Sequence, residues 1–111
     1  MNSDEYDPLL VEDLLNTAEA VLKGQVGIII GSRKLQSYRH ELAGDLDEDF
    51  LPFIGVDSMT DHLPVDEERQ NWSREALQRK DKEIKEAEDF YREMIFESSR
   101  KLIARFKKQA S

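Results

Sequence analysis

Apolar residues recur along this chain at spacings that suit helices better than strands. Leu9, Leu10, Leu14, Ala18, Val21 and Leu22 share one helical face, Asp7 and Pro8 read as an N-cap followed by proline at the first helical position, and Gly24 ends the run. This pattern predicts a first helix over about residues 8–23. Val26, Ile29, Ile30, Leu35, Tyr38 and Leu42 continue at helical spacing and predict a second helix ending near Gly44, although "VGIII" alone also fits a short buried strand.

From residue 45 to residue 72 the periodicity lapses. Gly55 and the prolines at 52 and 64 break up any long element, while Phe50, Leu51, Phe53, Ile54 and Leu63 offer apolar anchors. A structureless loop of that length is uncommon inside a compact domain, so the segment is expected to be an ordered connection with short helical turns. Ser73 then suits the N-cap of a long helix over 73–108, free of Gly and Pro, with Leu77, Ile84, Tyr91, Met94, Ile95, Leu102 and Phe106 on one stripe. The expected fold is all-α: a single domain over 1–111 with a flexible N-terminus at 1–6, two antiparallel helices, the folded connection at 45–72 and the long final helix.

Charge changes this picture in one region. The 111 residues carry a net charge of −8, divided as −2 over residues 1–39, −10 over 40–68 and +4 over 69–111. Residues 40–68 contain no Lys or Arg. A concentrated negative surface repels nucleic-acid phosphate and anionic lipid and speeds encounter with cationic protein. With no cysteine, disulfides, thiolate metal sites and cysteine nucleophiles are excluded. The acidic start and the absence of a long apolar run predict neither a signal peptide nor a membrane span, and so a cytoplasmic protein.

No catalytic, cofactor-binding or metal-binding residue is assigned. Asp45, Asp47 and Asp49 alternate as in a calcium loop, but Phe50 and Val56 occupy the positions that need Gly and Glu. His40 and His62 lack the spacing of a transition-metal site. Gly31-Ser32-Arg33 lacks the Walker order, and Gly27 and Gly31 are better read as one face on which another helix can approach closely. Ser58, Asp61 and His62 are too near in sequence to converge as a triad.

A structural role fits Arg33 and Arg39, expected to hold Asp57 and Asp61 through bidentate contacts. The remaining acids, Asp45, Asp47, Glu48, Asp49, Asp66, Glu67 and Glu68, would then face outward as a partner-binding surface. Phe50, Phe53, Met59 or Trp72, if exposed, would supply its apolar anchors.

The stretch "GQVGIIIGSRKLQSYRHEL", with "DEDFLPFIGVDSMTDHLP" and "NWSREALQRKDKEIKEAEDFY", resembles a family of small bacterial proteins of unknown function, a resemblance that implies no activity. In size, acidity and lack of cysteine the chain looks like bacterial toxin-immunity proteins. The leading expectation is a non-catalytic protein-binding domain, in its specific form an immunity protein covering a basic toxin, present as a monomer or homodimer. The alternatives are a metal-dependent or acid-base enzyme using His40, Asp57, Asp61 and His62, and a homo-oligomer joined along the stripe of the long helix.

Overall fold

The computed structural model describes residues 7–110, so the expected flexible segment at 1–6 lies outside the described residues. They form five α-helices, α1 (Pro8–Leu22), α2 (Ile28–Ser37), α3 (Arg39–Leu42), α4 (Leu51–Met59) and α5 (Arg74–Ala110), with a 3-10 helix at Asp66–Asn71 and no strand among them.

Local chemistry explains most of the boundaries. The Asp7 carboxylate accepts from Leu9 N at 2.9 Å with Pro8 in the first turn, so α1 starts where the cap signal places it. Ser73 Oγ accepts from Ala76 N at 3.1 Å and starts α5. The second helix differs from expectation, being broken at Tyr38, whose N–H turns back to Leu35 O at 3.2 Å. At the break the Tyr38 ring is buried and its hydroxyl donates to Asp13 Oδ2 at 2.7 Å, tying the joint to α1. The connection is also more helical than its composition suggests. Pro52 lies in the first turn of α4, where its missing N–H costs nothing, and Gly55 is carried inside the helix.

The main core draws Val11, Leu14, Ala18 and Val21 from α1, Ile28 and Leu35 from α2, Phe53 and Val56 from α4, and Ile95, Leu102 and Phe106 from α5. Phe50 meets Phe106 edge to face at 6.2 Å between centroids, an arrangement worth about 0.5–1.5 kcal/mol beyond area burial. A second cluster sets Ile29, Leu63 and Val65 against Ile84 and Ala87, so the acidic connection is anchored on α5 by its own apolar residues. Ile95, Leu102 and Phe106 of the α5 stripe thus belong to the core, whereas Met94 is exposed.

Both helix-facing glycines mark close approaches. A Cβ on Gly31 would overlap Val21 Cγ2 of α1, and one on Gly27 would lie 2.6 Å from a Glu88 carboxylate oxygen of α5. That carboxylate also accepts from Ile29 N at 3.4 Å, so α5 supplies the capping acid that Gly27 lacks at the N-terminus of α2. At 1.5 Å per residue the 37 residues of α5 span roughly 55 Å, matching the 53 Å long axis of the molecule. No helix among the described residues is long and apolar enough to cross a membrane.

Candidate protein-interaction surface

Arginines and one histidine hold the acidic connection in shape. Arg33 on α2 donates to Thr60 O at 2.8 Å and Leu63 O at 3.4 Å through Nη2, and to Glu68 Oε1 at 3.2 Å through Nη1. Its Nε lies 3.3 Å from Asp57 Oδ1. One guanidinium thereby meets the carbonyl at the end of α4, the turn that follows and a carboxylate on either side, using the planar fork that a lysine lacks. Glu68 also accepts from Val65 N at 2.9 Å, and this bond, with Arg33 assisting, holds its carboxyl below the ordinary glutamate range.

Beyond this clamp, Arg69 grips Asp81 of α5 with two bonds of 2.6 and 3.1 Å, and His62 Nε2 lies 2.7 Å from Glu83, which Lys80 also approaches at 3.3 Å. Hydrogen bonds from His62 and Lys80 keep the Glu83 carboxyl low. At the other end of the connection Arg105 Nη1 donates to Asp47 at 2.8 Å and Asp49 at 2.9 Å. The Arg105 bond lowers the Asp47 pKa, and the same contact raises that of Arg105.

The expected outward acids therefore divide. Asp47, Asp49 and Glu68 are engaged internally, and Asp45 lies 2.6 Å from His40 Nδ1. Glu48, Asp66 and Glu67 are exposed with no side-chain partner among the described residues. Of the expected structural pairs, Arg33 and Asp57 meet, but Arg39 binds the carbonyls of Gln36, and Asp61 is exposed with no cation beside it among the described residues. The acids also fail to form one patch: the residues gripping Asp49 and Arg69, namely Arg105 and Asp81, stand 24 positions apart on α5, roughly 36 Å.

The four groups of an acid-base or metal site do not converge, although Asp61 and His62 line one small hollow. His40 goes to Asp45, His62 to Glu83 and Asp57 to Arg33, and no group of three His, Asp or Glu suited to a metal ion occurs among the described residues.

Large apolar side chains are exposed at several places, Leu9, Leu46, Leu51 and Met94 among them, and three more, Met59, Trp72 and Phe90, line two neighbouring hollows. Phe50 and Phe53 are fully buried and unfit as anchors, whereas Met59 is 65% exposed, Trp72 37% and Phe90 79%. Met59 and Phe90 both line an open cleft of about 340 Å³, together with Leu63, Ala87, Glu83 and Glu86. Phe90 is braced by an edge-to-face contact with Tyr91 at 4.9 Å. A smaller hollow of about 110 Å³ shares His62 and Leu63 with it and continues past Asp61 and Pro64 to Trp72. Sequence reasoning named Met59 and Trp72 but missed Phe90, whose only signal is a large aromatic one residue out of register with the Leu77/Ile84/Tyr91 stripe.

No family model, no curated protein and no solved structure matches this chain.

Proposed function

We propose that the protein is a non-catalytic binding domain for a basic protein partner, and in its specific form an immunity protein that covers a basic toxin. The observation that carries this reading is the cleft lined by Met59 and Phe90. Large apolar side chains stand exposed beside Asp61 and Glu86, carboxylates with no partner among the described residues. Exposed aromatic and methionine groups supply the desolvated centre of an interface, while unpaired acids steer a cationic partner and fix its orientation. Recognition is the chemistry this arrangement supports: the two histidines are separately paired, His40 with Asp45 and His62 with Glu83.

The test is affinity capture from the native host at low and moderate salt, followed by binding measurements with the purified partner. Wild type recovers one basic protein, Met59→Ser/Phe90→Ser weakens its binding by tenfold or more, and co-expression relieves any toxicity of that protein. Undiminished binding by the doubly substituted variant refutes the reading, as does a His62→Ala variant that folds normally but loses a specific catalytic activity.

A further inference from the structure

The cleft has a definite shape and a one-signed border. Its α5 wall consists of Glu83, Glu86, Ala87, Phe90 and Tyr91, the i, i+3, i+4, i+7 and i+8 positions of one helical face. That wall runs roughly 12 Å, about two helical turns. Ala87 is the small residue of that face, and Met59, at the end of α4, joins Phe90 in the lining. The two neighbouring hollows are lined by four carboxylates and by no lysine or arginine; Glu68 and Glu83 are held by Arg33 and by His62 and Lys80, while Asp61 and Glu86 have no partner among the described residues. Lys80 touches Glu83 but does not line the hollows.

We infer that this trough is a docking groove for a basic amphipathic α-helix of a partner protein, with two or three apolar side chains on one face and lysines or arginines flanking them. This rests on the binding reading above and names the element that is recognised. Three observations select the occupant. An added β-strand needs an open sheet edge, and the described residues contain no strand. A proline-rich segment needs aromatic rings set side by side as a platform, whereas the two rings lining this cleft, Phe90 and Tyr91, stand edge to face at 84°. A helix presenting anchors at i, i+4 and i+7 matches two turns of wall, and the pliable Met59 side chain can adjust to fill around it. The unpaired carboxylates of Asp61 and Glu86 on that border then favour basic flanks on the docking helix.

The test uses the full chain and a displayed library of random 16-residue peptides. Enriched sequences are synthesised without tryptophan and titrated while following the fluorescence of Trp72, the only tryptophan in the chain. The expected winners are net positive, gain helical circular dichroism on binding and carry apolar residues at i, i+4 and i+7. Their dissociation constants rise tenfold or more with Phe90→Ser or Met59→Ser, and severalfold with Asp61→Asn/Glu86→Gln or on going from 0.05 to 0.5 M salt. Both apolar sites are largely exposed, so urea midpoints should stay near wild type and show that the variants fold.

No enrichment over an unrelated acidic control protein overturns the inference, as do proline-rich or acidic winners, or equal binding by Phe90→Ser. A chain that sediments as a dimer through Phe90 overturns it in favour of self-association. If affinity capture yields a basic partner that needs Met59 and Phe90 while helical peptides fail, the helical occupant is wrong and the binding reading stands. If peptides bind but no basic protein is captured, the binding reading fails by itself.

Discussion

Alanine at Gly31 and alanine at Gly55 are the same chemical change inside two helices, yet their surroundings make it stabilising at Gly55 and neutral to destabilising at Gly31. In an open helix interior, Gly→Ala gains about 1 kcal/mol from backbone entropy and propensity. Gly55 is such a place, because an added Cβ meets nothing within 4 Å. At Gly31 the new methyl overlaps Val21 Cγ2, and Val21 is buried and stiff about χ1, so α1 and α2 must separate or strain. Overpacking of this kind costs about 1–3 kcal/mol, which cancels or exceeds the propensity gain. The two variants should therefore differ by about 1–3 kcal/mol. With a urea slope near 1–3 kcal/mol per molar, that separates their midpoints by on the order of 1 M. Urea unfolding followed by far-ultraviolet circular dichroism measures it. A Val21→Ala/Gly31→Ala double variant should show coupling of about 0.5–3 kcal/mol, since the first change removes the methyl that the second strikes. Gly31→Ala proving as stable as Gly55→Ala, or additivity in the double variant, would refute the close approach.

Replacing Arg105 with methionine should cost about 1 kcal/mol at neutral pH, a charged hydrogen bond discounted for partial exposure, and should speed amide exchange over residues 45–50. Because the folded state lowers the Asp47 pKa, that contribution is present above about pH 4, the unfolded value, and is lost as pH falls through the lower folded one. Acid titration of both proteins should show their stabilities converging, and a gap that widens toward low pH would contradict the pairing. For Tyr38, burial pushes the phenol up to about 12, with the bond to Asp13 also raising it against the lowering by Thr17. Since the folded pKa is raised, its stabilisation is full below about pH 10 and lost between there and pH 12; ultraviolet titration should show a late-ionising phenol absent from Tyr38→Phe.

What the sequence discloses here is mostly local. The Asp7-Pro8 start of α1 and the Ser73 start of α5 depend on side chains within three residues of the bonds they make, so periodicity and capping suffice to find them. The helical spacing of Gly27 and Gly31 likewise announces close approach, though not that a carboxylate of α5 would be one of the visitors. α4 is obscured because Pro52 and Gly55 read as breakers, when proline is harmless in a first turn and an exposed helical glycine costs only about 1 kcal/mol. The clamps are hidden for a different reason. Arg105 meets Asp47 and Asp49 across 58 and 56 residues, and Arg33 meets Thr60, Leu63 and Glu68 across 27 to 35. Charge near a helix C-terminus explains Arg105 adequately by the macrodipole alone, so its sequence position gives no hint of these partners.

That division of the acids changes what charge can contribute to binding. Carboxylates held by Arg33 and Arg105 are largely neutralised at short range and act on a partner through the shape they maintain. The steering field falls instead to Glu48, Asp61, Asp66, Glu67 and Glu86, which are exposed and unpaired among the described residues. On the proposed reading the two sets separate kinetically. Neutralising the unpaired acids should slow association and flatten its salt dependence while leaving dissociation nearly unchanged, because exposed rim charges act on encounter. Truncating Phe90 or Met59 should speed dissociation, because their contacts form only in the docked complex. Loosening Arg33 should weaken binding with no contact removed, since segment 60–68 must then be ordered when the partner arrives. Stopped-flow association of the captured partner with these three kinds of variant distinguishes the effects, and a Glu48/Asp66/Glu67 charge-neutral variant that changed only the dissociation rate would overturn the separation.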